Sequence, residues 1–180
     1  PPRSTLFPYT TALPICRCGK SVVLRLIREE LLRRGVSEDY IIYMNFESFE
    51  WIDMKEAKAL YAHIREATKA SGKYYILLDE IQEVTDWEKA VNAFLVDLDV
   101  DIYVTGSNSR LLSSEFSTYL AGRYVAFHIM TLSFREYLLF HDLPLTISVS
   151  DRKTEFLKYL RMGGFPAIHT ANYDYNAIYK

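Results

Sequence analysis

Three consecutive residues, Gly19, Lys20 and Ser21, could bind a phosphate group. The residues after them are apolar at intervals of three and four, so the triplet would open a helix whose first amides and dipole attract an anion. It matches the second half of the phosphate-binding pattern G-x-x-x-x-G-K-[ST], in which the lysine reaches the terminal phosphates and the hydroxyl binds Mg²⁺. The alternative is an ordinary helix start with a solvated lysine.

The same segment supplies the predicted nucleotide contacts. Backbone N–H groups of the loop and of the first helical turn would converge on the phosphates. Ser21 would in addition be a Mg²⁺ ligand. The predicted phosphate-binding residues are Arg17, Cys18, Gly19, Lys20, Ser21 and Val22.

Two adjacent carboxylates, Asp79 and Glu80, follow the apolar run 75–78. In an open α/β sheet, ligands bind at the carboxyl ends of the strands, which is where this pair would lie. We predict that Asp79 holds Mg²⁺ directly or through water. We predict that Glu80 polarises the water that attacks the γ-phosphate. The alternative is a pair of solvated acids at a strand end.

Two further residues are candidates for the same edge of the sheet. Asn108 lies in a polar turn after the third predicted strand, where it could bind the γ-phosphate or orient the attacking water. Arg123 precedes the fourth predicted strand; its charge suits phosphate oxygens, and supplied to a neighbouring subunit it could stabilise transition-state charge. Their alternatives are an ordinary turn residue and a surface salt bridge.

The elements that must position these residues alternate between strands and helices. Capping patterns place helix starts at Asp53, at Thr85 with Glu88, and at Ser133 with Glu136. Helices are predicted over 21–34, 53–70, 85–95, 110–120, from 133, and 151–162, and strands over 40–46, 74–78, 101–105 and 124–130. Apolar strands between helices of this length predict an α/β fold with a mostly parallel sheet covered by helices on both faces.

Composition and hydrophobic periodicity divide the chain into three parts. Residues 1–14 contain prolines, no acidic residue and no regular period, so we expect a foreign or disordered segment. Residues 15–140 carry the α/β pattern. Residues 141–180 read as a linker followed by the truncated start of a C-terminal, helical region.

Composition limits the classes of function. Hydrophobic residues make up 49% and charged residues 24%, as in a globular domain. The net charge of −2 gives no indication of nucleic-acid binding, and no apolar run is long enough to span a membrane. Cys16 and Cys18 are too close together for an ordinary disulfide, which favours the cytoplasm. The four histidines show no metal-ligand spacing.

In this order, the motifs resemble those of prokaryotic AAA+-type ATP-binding proteins that carry a further C-terminal domain of unknown function. The likeness covers residues 15–168 and rests on the segments 17–21, 77–82, 102–108, 122–124, 132–137 and 163–166. The resemblance implies a three-layer P-loop NTPase fold with a five-stranded core, binding of ATP and Mg²⁺, and ATP hydrolysis.

The sequence departs from the family pattern before the helix. Pro14 occupies the position of the first loop glycine, and its φ is locked near −65° where the turn needs freedom. The strand that feeds the loop would have to come from residues 7–13, where Pro8 suits a buried strand poorly. We therefore expect this chain to bind ATP more weakly than its natural parent.

These observations predict an AAA+-type ATPase that drives or switches an unknown protein partner through its C-terminal region. A homo-oligomer would let Arg123 act across a subunit boundary. Two alternatives stay open. One is a nucleotide-gated interaction module with little turnover, and the other is a degenerate scaffold that no longer binds nucleotide.

Overall fold

The computed structural model describes residues 18–69, 71–106 and 123–170. They fall into two compact units. The sheet unit is Lys20–Ala126, and the helical unit consists of the described residues within Pro1–Gly19 and Phe127–Lys180. The predicted foreign segment and the helix predicted over 110–120 lie outside the described residues.

The sheet unit contains three parallel strands that are adjacent in the order of the chain. The strands are β1 (Ile41–Asn45), β2 (Tyr74–Asp79) and β3 (Val100–Val104). In the register of the sheet, Asn45 lies beside Asp79, and Leu78 lies beside Val104. The three corresponding sequence predictions are confirmed to within two residues at each end. The family resemblance implied five strands, and the described residues contain three.

Helices cover both faces of the sheet, which confirms the predicted layered α/β fold. They are α1 (Lys20–Arg33), α2 (Ala57–Ala67) and α3 (Trp87–Asp97). Because side chains alternate along a strand, Ile76 and Leu78 pack in one core cluster with α2 and α3, whereas Leu77 packs in a second cluster with α1. The side of the sheet that carries α1 is called the α1 face below.

The helix predicted to begin at Thr85 begins two residues later. The backbone of Thr85 forms an isolated parallel bridge with Glu56, so Thr85 does not cap a helix. The N-cap of α3 is Asp86, and its side chain makes no capping hydrogen bond. The predicted capping box between Thr85 and Glu88 is therefore wrong, because a backbone pairing distant in sequence occupies its first residue.

The same bridge delays the start of α2. The predicted cap, Asp53, lies inside the 3-10 helix Phe49–Met54. The backbone then extends, since the carbonyl of Lys55 accepts a 2.9 Å hydrogen bond from the Thr85 amide and the Ala57 amide donates to the Thr85 carbonyl at 3.1 Å. The prediction of a helix is confirmed, but its predicted start at Asp53 is wrong.

The predicted fourth strand is also wrong. The structure assigns no strand to residues 123–130, and the side chains of Val125 and Phe127 are 74% and 68% exposed. Aromatic and β-branched residues favour a strand only where a neighbouring backbone completes the ladder. Among the described residues, β3 pairs with β2 and with no other strand.

The helical unit contains three helices, α4 (Phe134–Phe140), α5 (Val149–Met162) and α6 (Pro166–Thr170). Ser133 and Glu136 form both halves of the predicted capping box at the start of α4, which confirms that prediction. Leu132, just before α4, is bonded to α5 and to the residues that follow it: its carbonyl accepts a 2.8 Å hydrogen bond from Tyr159 Oη, and its amide donates to the Gly164 carbonyl at 2.7 Å. None of the helices in the described ranges combines the length and the apolar character that a membrane span requires.

Candidate functional site

Asp79 is the only charged side chain buried in the described core. It ends β2, at the carboxyl edge of the sheet, and it is 0% exposed. Asp79 lies two residues after Leu77, so it projects from the same α1 face. A buried carboxylate is costly unless it is hydrogen-bonded or binds a cation, so its surroundings bear on function.

Two hydroxyl groups donate hydrogen bonds to this carboxylate. Tyr43 Oη, from β1, lies 3.1 Å from Asp79 Oδ2. Thr105 Oγ1, from the residue after β3, donates to Asp79 Oδ1. The carboxylate is thus held from both neighbouring strands. Sequence reasoning missed both residues as members of the site.

The electrostatics of Tyr43 place α1 beside this network. Burial raises the pKa of the Tyr43 hydroxyl, and the Asp79 carboxylate raises it further. The positive charge of Arg25, in α1, acts in the opposite direction. Arg25 lies four residues after Ser21, on the same face of the helix. Arg25 therefore lies close enough to Tyr43 for its charge to act on the hydroxyl that binds Asp79.

Glu80 follows Asp79 in an unusual backbone conformation. Its φ of 54° and ψ of 48° are left-handed, a region that residues other than glycine seldom occupy. Its amide donates to Thr105 Oγ1 at 3.2 Å, and its carboxylate accepts a bond from Gln82 Nε2. The strand therefore turns sharply after Asp79, so that Glu80 does not continue the alternation of β2.

The phosphate-binding triplet has the expected local geometry. Gly19 has a φ of +103°, which only glycine adopts readily, and Lys20 is the first residue of α1. The first turn of α1 contains no acidic residue that would repel an anion. Only seven residues connect Arg33 to Ile41, so α1 runs antiparallel to the strands and its N-terminus lies toward their carboxyl ends.

The other predicted site residues differ in their placement. Cys18 is buried, and its thiol donates to the carbonyl of Ile129 at 3.2 Å. Val22 is 45% exposed on α1. Arg123 is exposed, and within the described ranges no hydrogen bond or ion pair joins it to Asp79 or Glu80. Arg17 and Asn108 lie outside the described residues.

The donor set fits magnesium better than a metal held by protein side chains alone. The described residues contain no group of three histidine, cysteine or acidic side chains that could hold a metal. Magnesium instead keeps several waters and is bound by one or two carboxylates together with substrate phosphates. One buried carboxylate, Asp79, and a hydroxyl in the first turn of α1, Ser21, satisfy that requirement.

Comparisons with known proteins are consistent with a nucleotide-binding site. A family model described as "AAA domain" matches residues 15–138. An uncharacterized protein of Haemophilus influenzae is 41% identical over 157 residues, covering 87% of this chain and 39% of that protein. An uncharacterized protein of Methanocaldococcus jannaschii is 35% identical over 144 residues, covering 77% and 32%. The chain thus spans less than half the length of these relatives.

Proposed function

Because the chain belongs to the AAA domain family, a family of nucleotide-binding domains, we propose that it binds ATP together with Mg²⁺ and hydrolyses the γ-phosphate. One observation carries the proposal. Asp79 is a buried carboxylate on the α1 face, at the edge of the sheet toward which the N-terminus of α1 is directed. An anion-binding helix end beside a buried carboxylate suits a nucleotide phosphate with its metal ion.

The proposed roles follow from these positions. Backbone amides around Gly19 and the Lys20 ammonium bind the phosphates. Ser21 and Asp79 hold Mg²⁺, which when bound neutralises charge on the phosphate oxygens. The Glu80 carboxylate accepts a proton from the attacking water and orients that water toward phosphorus. The predicted roles of Arg17, Cys18, Val22 and Asn108 as phosphate or water contacts remain proposals of the same kind.

Titration calorimetry with Mg-ATP tests the phosphate-binding assignment. Lys20→Ala should abolish binding, because it removes the charge that acts on the terminal phosphates. Lys58→Ala is a matched control, since Lys58 is an exposed lysine on α2, on the opposite face of the sheet. Equal affinity of the Lys20→Ala variant and the wild-type chain would refute the assignment.

A second candidate, a nucleotide-gated module with little turnover, is favoured if no arginine reaches the phosphates, and within the described residues Arg123 makes no hydrogen bond or ion pair with Asp79 or Glu80. If Arg123 acts across a subunit boundary, hydrolysis per subunit should rise with protein concentration, and mixing Arg123→Ala with Glu80→Gln subunits should restore activity in part. Arginines supplied in this way raise rates by roughly 10³–10⁵. Hydrolysis per subunit that stays constant with concentration, together with no recovery of activity on mixing, would favour the nucleotide-gated module. Arg135→Ala, at another exposed arginine, is the control.

What ATP binding and hydrolysis accomplish is a proposal about a protein longer than this chain. Because the chain covers only part of its relatives, we propose that the domain predicted over 15–140 drives or switches a protein partner through the region that follows it. A full-length relative in which the lysine that matches Lys20 is replaced by alanine should then lose its nucleotide-dependent partner binding in a pull-down.

A further inference from the structure

The Asp79 carboxylate is fixed before any metal ion arrives. Tyr43 and Thr105 donate to different oxygens of the carboxylate, from strands on opposite sides of β2. The side chain of Asp79 is fully buried, so water does not compete for these bonds. Two directional donors on a buried carboxylate leave it one orientation.

Thr105 also contacts the neighbouring residue of the site. Its Oγ1 accepts a 3.2 Å hydrogen bond from the amide of Glu80 while donating its own proton to Asp79. A hydroxyl has one proton and two lone pairs, so both bonds can exist together. The hydroxyl of Thr105 therefore links the metal-binding carboxylate to the backbone of the general base.

The backbone of Thr105 is itself held firmly. Its amide donates to the carbonyl of Leu78 at 2.9 Å, and its carbonyl accepts from the amide of Ile81 at 3.0 Å. These bonds surround the left-handed turn at Glu80 on both sides. Loss of the Thr105 hydroxyl would remove the side-chain hydrogen bond to the Glu80 amide, and with it part of what holds a left-handed backbone that is costly for glutamate.

We infer that Tyr43 and Thr105 are positioning residues for ATP hydrolysis, with separable tasks. Tyr43 orients Asp79 alone, and therefore serves metal-nucleotide binding. Thr105 orients both Asp79 and Glu80, and therefore serves metal-nucleotide binding and the chemical step. The inference rests on the proposed ATPase function.

The test compares ATP affinity with Mg²⁺ and with EDTA, by titration calorimetry, and measures kcat at saturating Mg-ATP. Tyr43→Phe should weaken Mg-ATP binding by roughly 10–100-fold, the usual effect of losing a partner of a metal ligand, with kcat and metal-free ATP binding unchanged. Thr105→Val should weaken Mg-ATP binding similarly and lower kcat as well. Thr105→Ser should restore both, because it keeps the hydroxyl.

Tyr103→Phe is the matched control. Tyr103 also lies on the α1 face and is partly buried, but its hydroxyl has no hydrogen bond to Asp79 in the described structure. The change should leave both affinities and kcat as in the wild-type chain.

Three outcomes would overturn the inference. Tyr43→Phe and Thr105→Val could bind Mg-ATP as the wild type does, or they could lose metal-free ATP binding equally, which would indicate general damage. Should Thr105→Val fail to fold in a thermal melt, Tyr43→Phe decides, since it removes a single oxygen atom. A wild-type chain that binds no Mg-ATP would overturn the proposed function itself and the inference with it.

Discussion

The amide of Glu80 donates a 3.2 Å hydrogen bond to Thr105 Oγ1. Glu80 is thus held by its backbone, while its side chain accepts a bond from Gln82 that an amide oxygen could accept equally well. A change from carboxylate to amide at this position should therefore alter the chemistry of the side chain more than its location.

Glu80→Gln should leave Mg-ATP binding nearly intact and slow hydrolysis by on the order of 10²-fold or more, the usual effect of removing a general base. Calorimetry and a phosphate-release assay measure the two quantities separately. Glu83→Gln is the control, because Glu83 lies three residues along and pairs with Lys55 at 3.2 Å. A parallel loss of binding and turnover would make Glu80 a structural residue or a metal ligand.

Pro14→Gly should raise the affinity for Mg-ATP. If the proline strains the phosphate-binding turn by about 1.4 kcal/mol, its replacement should improve affinity about tenfold. Pro144→Gly provides the comparison, since Pro144 is an exposed proline distant in sequence from the loop pattern. Calorimetry on both variants checks the prediction. No gain from Pro14→Gly, in a chain that also fails to bind nucleotide, would support the degenerate scaffold.

The pair His141 and His169 should make the helical unit sensitive to acid. Burial lowers the pKa of His141, and the charge of His169 lowers it further. His169 Nε2 lies 2.8 Å from the carbonyl of Gly163, to which it can only donate, so its Nδ1 is left to accept a hydrogen bond from His141 Nε2 at 3.2 Å.

A histidine whose folded-state pKa is lowered binds fewer protons folded than unfolded, so stability is lost as the pH falls from about 6.5 through the folded-state pKa. Glu155 and Asp142 oppose this shift, and Lys158 adds to it. NMR titration of the ring protons should show His141 titrating below its ordinary range, and His169→Gln should move it upward.

His63→Gln is the control for that titration, because His63 packs against Trp51 in the sheet unit. It should leave the His141 curve unchanged. A titration of His141 at its ordinary pKa, insensitive to His169→Gln, would refute the predicted coupling.

Gly164→Ala should destabilise the chain by about 1–3 kcal/mol, the typical cost of forcing extra volume into a packed site. A Cβ at this position would collide with the carbonyl oxygen of Leu132. Gly35 is the comparison, because its φ of +86° restricts the backbone while the space around it is open. Substitutions at the two positions therefore distinguish a steric cost from a conformational one. Urea unfolding should show that asparagine is tolerated at 35, since asparagine adopts positive φ, but not at 164. Equal tolerance at both positions would contradict the steric account.

Local patterns in the sequence predicted most of the described elements. The apolar runs gave the three strands, and Ser133 with Glu136 gave the start of α4, because these signals depend only on nearby residues. Thr85 with Glu88 carries the same kind of signal, and it failed because Thr85 is paired to a segment about thirty residues earlier. Pairings of that kind are set by the tertiary structure.

The site was predictable to a similar extent. Asp79 and Glu80 stand out in the sequence because charged residues follow an apolar strand. Tyr43 does not, since its role depends on the register that places Asn45 beside Asp79. Tyr43 lies two residues before Asn45 and so shares its face of β1. That face can be matched to Asp79 only when the register between the two strands is known. Thr105 was predicted only as the last residue of the third strand, because its hydroxyl bonds to Asp79 and Glu80 require two strands in place.

The order of the strands has a consequence for how the chain folds. Each ladder of the described sheet joins strands that are consecutive in the sequence, with one helical crossover between them. Closing such loops costs little entropy, so each strand can dock on its predecessor without waiting for a distant segment. On the ribosome, β1, α2 and β2 could therefore assemble before β3 emerges. The hydrogen bonds to the Asp79 carboxylate would then be completed last, when Thr105 reaches the sheet.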